Sequence, residues 1–244
     1  MNPRTTLATA VRVLTQLRRD PRTVVLLIAV PPLLLVLLRY LFDESEATFD
    51  RVGASLIGLF PFITMFLITS ITMLRERTTG TLERLMTLPL AKLDLLLGYG
   101  LAFALVATVQ ALVTSAVALW ALGLDVAGPV WLVVVFAVGN AILGMALGLF
   151  LSAFARSEFQ AVQFMPAFVL PQFLLCGLLV PRDQMAEALE AVSVVLPLTY
   201  AYDALARTAA DELGPRLAVD AAVIAGAALL ALALGAATLR RRTP

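Results

Sequence analysis

The 244-residue sequence contains no histidine, one cysteine (Cys176) and one lysine (Lys92). Without histidine, a His-based metal site or His-based catalysis is excluded. A single cysteine excludes an intramolecular disulfide and leaves the redox compartment open. The lone lysine is not preceded by glycine, so there is no G-x-x-x-x-G-K-[ST] phosphate loop. Charge is scarce as well. Only 14% of residues are charged and 61% are hydrophobic, against roughly 25% and about 45–50% in ordinary globular domains. With a mean hydropathy of +0.94, such a chain has too few charges to keep its surface in water. It belongs in a bilayer.

What is present is a set of six apolar runs: 23–42, 52–74, 95–122, 130–154, 160–180 and 221–239. Each approaches or exceeds the roughly 20 residues a helix needs to cross about 30 Å of hydrocarbon. The second run has no ionisable side chain. The first carries Arg39 near one end, where a long cationic side chain reaches the interface. It is read as a retained span, because it is too long for a signal peptide and no small-x-small site follows it. Pro31, Pro32, Pro61, Pro166 and Pro171 predict kinks within spans. Gly144 and Gly148, continued by Ser152, form a small-xxx-small row suited to close helix packing within the subunit.

Past the Gln160 that opens the fifth run, the strongly polar groups inside these runs besides Arg39 are Gln110, Asn140, Gln163 and Gln172. That argues against an ion-coupled carrier, which needs buried ionisable relays. Intramembrane hydrolysis would need a base beside a nucleophile, and no such pair is visible. If the protein moves something uphill, another polypeptide must supply the energy. Lys and Arg counts set the expected orientation. With the N-terminus inside, thirteen basic residues fall on the inner side and five on the outer, while five carboxylates fall inside and twelve outside. The positive-inside rule then places both termini in the cytoplasm.

Three connecting pieces carry pattern. Residues 1–22 read as an interfacial helix, with Leu7, Ala10, Val11, Leu14 and Leu17 on an apolar stripe and Arg12, Gln16 and Arg19 opposite. Residues 75–94 form an inner loop with alternating charges, a break at Gly80 and Thr81 as a candidate helix cap. Leu82, Leu85 and Met86 follow at helical spacing, and Pro89 ends the pattern. Exposed leucines in that pattern call for a cover, either the membrane surface or a protein groove. Residues 181–220 form a long outer segment. Met185, Leu189 and Val192 suggest a short amphipathic helix there, ahead of a Pro-broken turn at Pro197. This segment is either a packing cap on the bundle or a gate formed around Pro197, Tyr200 and Asp203.

The loop and the outer segment together carry a family resemblance. Glu76, Gly80-Thr81-Leu82-Glu83, Leu85, Pro89 and Leu97-Gly98 stand in an order and spacing that resemble the signature of type-2 ABC exporter permeases. Pro197-Leu198-Thr199-Tyr200, with Asp203-Ala204-Leu205, resembles the same family's stretch before its last span. The resemblance covers the whole chain. It departs at Tyr99, where a lysine often follows the glycine. It implies an all-α polytopic membrane protein with six transmembrane helices, a cytoplasmic N-terminal amphipathic helix and an outer re-entrant segment, all in one permease domain spanning 1–244. It also implies two paired permease subunits, each docked on a separate ATPase subunit that holds ATP and Mg, with no cofactor bound by this chain and no nucleic-acid partner. Glu76, Thr81, Leu82, Glu83, Arg84 and Leu85 are then the ATPase-coupling residues. The place is a bacterial cell membrane, and the fifth span, with three phenylalanines and Gly177 near its end, looks more like the drug and lipid branch than the polysaccharide branch. A hydrophobic cargo needs an apolar path with a few polar groups. Phe62, Phe66 and Thr69 share one helix face and Phe164, Phe168 and Gln172 another, so these six are the candidate path, or else packing residues against lipid and neighbouring helices. The alternatives are an ion-coupled carrier or channel working without an ATPase, or a membrane scaffold without a transport path.

Overall fold

The structure, a computed structural model, describes residues 3–81 and 92–238, and the regular elements among them are all helical. α1 (Pro3–Arg18) is followed by α2 (Pro21–Leu41), and Asp20 between them caps α2 by accepting from the Thr23 amide (3.2 Å) and hydroxyl (2.6 Å). α3 (Glu46–Thr78) is the longest helix, at 33 residues. α4 (Lys92–Ala116) runs into a π turn at Val117–Ala121, and α5 (Val130–Leu151) follows a short connection. Then come α6 (Glu158–Phe164), α7 (Leu170–Leu175), α8 (Glu187–Ser193), α9 (Pro197–Ala209) and α10 (Pro215–Thr238).

Among the described residues, five helices are long and apolar enough to cross a membrane: α2, α3, α4 with its π turn, α5 and α10. The expected span at 160–180 is helical from Glu158 to Leu175, but its helix is irregular and ends five residues early. A π turn at Met165–Val169, holding Pro166, separates α6 from α7, which contains Pro171. Each ring removes a backbone donor and displaces the carbonyl a turn earlier. Two prolines five residues apart therefore make irregular, without ending, a helix that hydropathy alone reads as uniform. Pro31 and Pro32 in α2 and Pro61 in α3 do not end their helices. At the outer segment, α8 and α9 meet at 85°, the broken pair expected around Pro197.

The core is centred on α3 and α5. A Cβ added at Gly144 would strike the Phe62 carbonyl, and one at Gly148 would strike the Phe66 carbonyl and the Thr69 hydroxyl. These two glycines let the helix backbones touch, and in a bilayer that close approach supplies dispersion that lipid tails cannot match. The small-xxx-small row therefore works within the subunit. Thr69 strengthens the seam by donating to the Met65 carbonyl (2.7 Å) and lying 3.2 Å from that of Met145 across it. The buried amides are structural as well. Gln110 on α4 donates to the Leu27 carbonyl of α2 and the Thr64 hydroxyl of α3, both at 2.6 Å, and Asn140 on α5 donates to the Ala201 carbonyl of α9 (3.2 Å).

The Asn140 contact places α9. It lies about 15 Å along α5 from that helix's start, by helix rise. The far end of α9 meets the start of α5, where the Ala127 amide donates to the Ala209 carbonyl (2.9 Å). α9 thus runs from the bundle interior up to its rim and is re-entrant.

Candidate functional site

At the end of the bundle where α3 finishes, that helix continues past its apolar stretch to Thr78, and the chain turns at Gly80 with φ of +72°. Glu76 therefore stands on a helix rather than in a loop. It is 8% exposed, with Arg12 Nη1 3.6 Å from its Oε1. Arg12 also donates to the Tyr99 hydroxyl, and its guanidinium carbon lies 5.4 Å from the Tyr99 ring centroid. This cluster joins α1, α3 and α4. It exists because α1 lies hard against α4: a Cβ at Gly98 would come within 2.5 Å of Thr9.

The expected single apolar stripe on α1 is thereby corrected. Ala10 and Val13 are buried against the bundle, Leu7 and Val11 are exposed, and Arg12 is half-buried on protein partners instead of facing water. The α1–α4 contact gives this helix two working sides, which a hydropathy stripe cannot separate. Arg75 adds a second tie by donating twice to the Glu158 carboxylate, at 2.7 and 3.1 Å, joining α3 to the start of α6. Thr81 is half-buried, with its hydroxyl 3.1 Å from that of Thr79. Leu82, Glu83, Arg84 and Leu85 lie outside the described residues. A cavity of about 420 Å³ opens here between α1, α2, α3 and α4, with Asp20, Glu76 and Arg75 on its wall.

The opposite end holds a second charged cluster. Arg182 donates to Asp203 Oδ2 (2.5 Å), Arg207 lies 3.6 Å from the same carboxylate, and Arg207 donates to Asp220 (2.5 Å). Asp203 and Asp220 are 9% and 3% exposed. Of the candidate gate residues, Asp203 is thus the centre of an ion network binding α9 to α10 and to the chain after α7. Tyr200 donates to the Val194 carbonyl (2.8 Å), and Pro197 begins α9. The pair holds the α8–α9 bend. Arg182, Arg207 and Asp220 escaped the sequence reading. Asp220 was placed outside the last span, but α10 starts at Pro215 and includes it.

The candidate cargo stripes do not come together on one open face. Phe62, Phe66 and Thr69 are fully buried in the α3–α5 seam. Phe164 is half-buried against the cluster of Leu74, Ala155 and Ala161, Phe168 is exposed on the π turn, and Gln172 is buried with its amide nitrogen on the Phe168 carbonyl (3.0 Å). Within the described residues, no group of histidine, cysteine or carboxylate side chains is placed to hold a metal.

Comparison with known proteins shows the family. Residues 5–208 match the ABC-2 type transporter family. The chain is 30% identical over 155 residues to "Probable multidrug ABC transporter permease YbhR" of Escherichia coli, covering 62% of this chain and 41% of that protein. It is 25% identical over 172 residues to "Probable multidrug ABC transporter permease YbhS" of Escherichia coli, covering 69% and 45%. It is 26% identical over 163 residues to "ABC transporter G family member 20" of Dictyostelium discoideum, covering 67% and 22%. In each match, the chain spans less than half the length of the relative.

Proposed function

The chain belongs to the ABC-2 type transporter family, and from that premise we propose that it is the transmembrane permease subunit of an exporter driven by a separate ABC ATPase. In this reading the end holding Arg12, Glu76 and Tyr99 faces the cytoplasm. The positive-inside count supports that side, with thirteen basic residues against five. Residues 82–85 dock on the ATPase, with Leu82 and Leu85 filling a groove and Glu83 and Arg84 setting register. Motion of that loop reaches three helices at once, because Glu76 and Arg12 tie α3 to α1 and α4, and Arg75 ties α3 to α6. That linkage is the observation that carries the proposal. A second permease subunit completes the pathway, and the cargo is a hydrophobic compound. The exposed Phe168 on the π turn between α6 and α7 is the stripe residue best placed to meet cargo between subunits.

The test is co-purification with the ATPase encoded beside it. Replacing Leu82 and Leu85 with Asp should leave membrane insertion intact and abolish ATPase association. Retention of the ATPase at wild-type yield rejects the docking assignment. In a Cys176→Ala background, Ser45→Cys and Glu187→Cys should react with an impermeant maleimide in intact cells and Thr79→Cys should not. Labelling of position 79 from outside reverses the orientation.

A further inference from the structure

The corner between α1 and α2 carries charge that the rest of the molecule does not answer. Arg18 ends α1, Arg19 follows it, and Arg22 lies in the first turn of α2; all three are exposed. Arg12, Arg39, Arg75, Arg182 and Arg207 each have a carboxylate partner. Among the described residues, Arg18, Arg19 and Arg22 have none at ion-pair distance. Asp20, set between them in the chain, is committed to the Thr23 amide and hydroxyl, and Arg22 acts on it only at longer range. Apolar side chains flank these arginines in two directions. On α1, Leu7 and Val11 are more than half exposed, and with Arg18 they fall at i, i+4 and i+11 on one side of the helix. That side faces away from the bundle, because Thr9, Ala10 and Val13 are buried on the other. On α2, Leu26, Leu33 and Leu37 are exposed in line with Arg22, at i+4, i+11 and i+15. From Arg22 to Leu33 this stripe runs about 16 Å by helix rise, the depth of one leaflet of a bilayer whose hydrocarbon is roughly 30 Å thick.

An acidic protein would answer the arginines but leave the stripe beneath them uncovered, since α2 is long and apolar enough to cross the membrane. A phospholipid matches both parts. Its phosphate accepts from the planar guanidinium forks, and its chains lie along Leu26 and Leu33. We propose that this corner binds an anionic phospholipid, with the headgroup held by Arg18, Arg19 and Arg22 and the acyl chains along the exposed side of α2. Leu7 and Val11 enter the surface of the same leaflet, as the apolar side of an interfacial helix does. A zwitterionic headgroup offers the same phosphate together with an ammonium that three cations repel, so the corner prefers lipids of net negative charge. Placing the lipid in the inner leaflet rests on the cytoplasmic assignment of this end. Its binding does not.

The probe is phosphatidylglycerol carrying a nitroxide near the top of one acyl chain, with phosphatidylcholine bearing the same label as its reference. In a Cys176→Ala background, bimane is attached at Thr15→Cys, an exposed position whose hydroxyl donates to the Val11 carbonyl one turn before Arg18 and Arg19. Quenching of the bimane then reports lipid contact at this corner, with the full chain held in phosphatidylcholine vesicles. Labelled phosphatidylglycerol should quench at about a tenfold lower mole fraction than labelled phosphatidylcholine. Arg18→Gln, Arg19→Gln and Arg22→Gln should each reduce that preference by up to about fivefold, the effect of one basic residue near an anionic surface. The triple replacement should abolish it. Arg156→Gln, at an exposed arginine beyond α5, should leave it unchanged. With all the arginines in place, 1 M salt should shrink the preference too, because it screens exposed charges beyond about 3 Å. That arm keeps the test sound even where a variant fails to fold. Equal quenching by the two lipids, a preference that survives the triple replacement, or one undiminished in salt overturns the proposal. Absence of quenching by either lipid places this side of α1 against protein and overturns it as well. The vesicles hold neither ATPase nor cargo, so the outcome is independent of the exporter reading. Labelling of position 79 from outside the cell overturns the leaflet assignment alone.

Discussion

The two ends of the bundle solve the same problem in opposite ways. Both bury charge where several helices meet. At the re-entrant end, Asp203 is shared by Arg182 and Arg207, and Asp220 takes a hydrogen bond from Arg207, so both buried carboxylates are met by cations. At the loop end, Arg12 divides itself between an aromatic hydroxyl and a carboxylate 3.6 Å away, and one oxygen of that carboxylate has no donor. A cavity adjoins this second cluster. A saturated network resists rearrangement, because breaking any pair strands a buried charge. An unsaturated one beside a void can change partners cheaply. The re-entrant end is built as an anchor, and the loop end as a joint.

The largest effect should follow from breaking the anchor. Arg207→Ala leaves Asp220 buried without its donor and removes one of the two cations on Asp203. Breaking a buried pair typically costs about 3–5 kcal/mol. Thermal unfolding of the detergent-purified protein should therefore fall sharply, with a matching loss of membrane yield. Replacing both partners, Arg207→Met with Asp220→Leu, should recover most of the loss, since no charge is then stranded. Failure of the double variant to recover would mean that the ions specify the position of α9 rather than simply offset each other.

Arg12→Ala at the joint should cost less, about 1–3 kcal/mol, the range of a charge-assisted hydrogen bond with a cation–π contact. Arg12→Lys should not restore it, because an ammonium lacks the planar fork that reaches Tyr99 and Glu76 together. The joint differs from the anchor in a second readout. Arg12→Ala should lower coupling between ATP hydrolysis and transport more than it lowers unfolding temperature. An unfolding loss equal to that of Arg207→Ala would erase the distinction between the two ends.

Much of this was legible in the sequence, for identifiable reasons. The five long helices follow from apolar runs, the α3–α5 seam from Gly144 and Gly148, and the α8–α9 bend from Pro197, because each depends on residues close in the chain. The loop-end charges were seen as motif letters, yet their partners were not. Arg12 and Tyr99 are 87 residues apart and meet only because Gly98 lets α1 cross α4. Asp220 was missed for a different reason. A hydropathy window cuts a span off at its first charge, whereas the helix continues as long as a partner such as Arg207 neutralises that charge. The buried faces of Phe62 and Phe66 were misleading in the same sense. A shared helix face says that residues point together, not whether they point at cargo or at a neighbouring helix.

The smallest effect belongs to the exposed tie of the joint, and it has a defined pH window. Glu158 stands at the start of α6, outside the apolar run, and the hydrogen bonds from Arg75 hold its carboxyl below the ordinary value of 4.5. A carboxyl whose folded value is depressed contributes stability that is fully present above its unfolded value and is lost as pH falls through the folded one. Both side chains are about half exposed, at 58% and 50%, so the contribution is screened and amounts to about 0–1 kcal/mol. For a chain of this length that is about 2–4 °C at most. The difference in unfolding temperature between wild type and Arg75→Gln should accordingly be small and constant from neutral pH down to about 5, then vanish at lower pH. It should also shrink in high salt, which screens exposed charges within about 3 Å at 1 M. The Arg207→Ala difference, resting on buried partners, should survive the same salt. A Glu158–Arg75 effect that persisted at pH 3, or an Arg207 effect that disappeared in salt, would contradict the assignment of joint and anchor to these two ends.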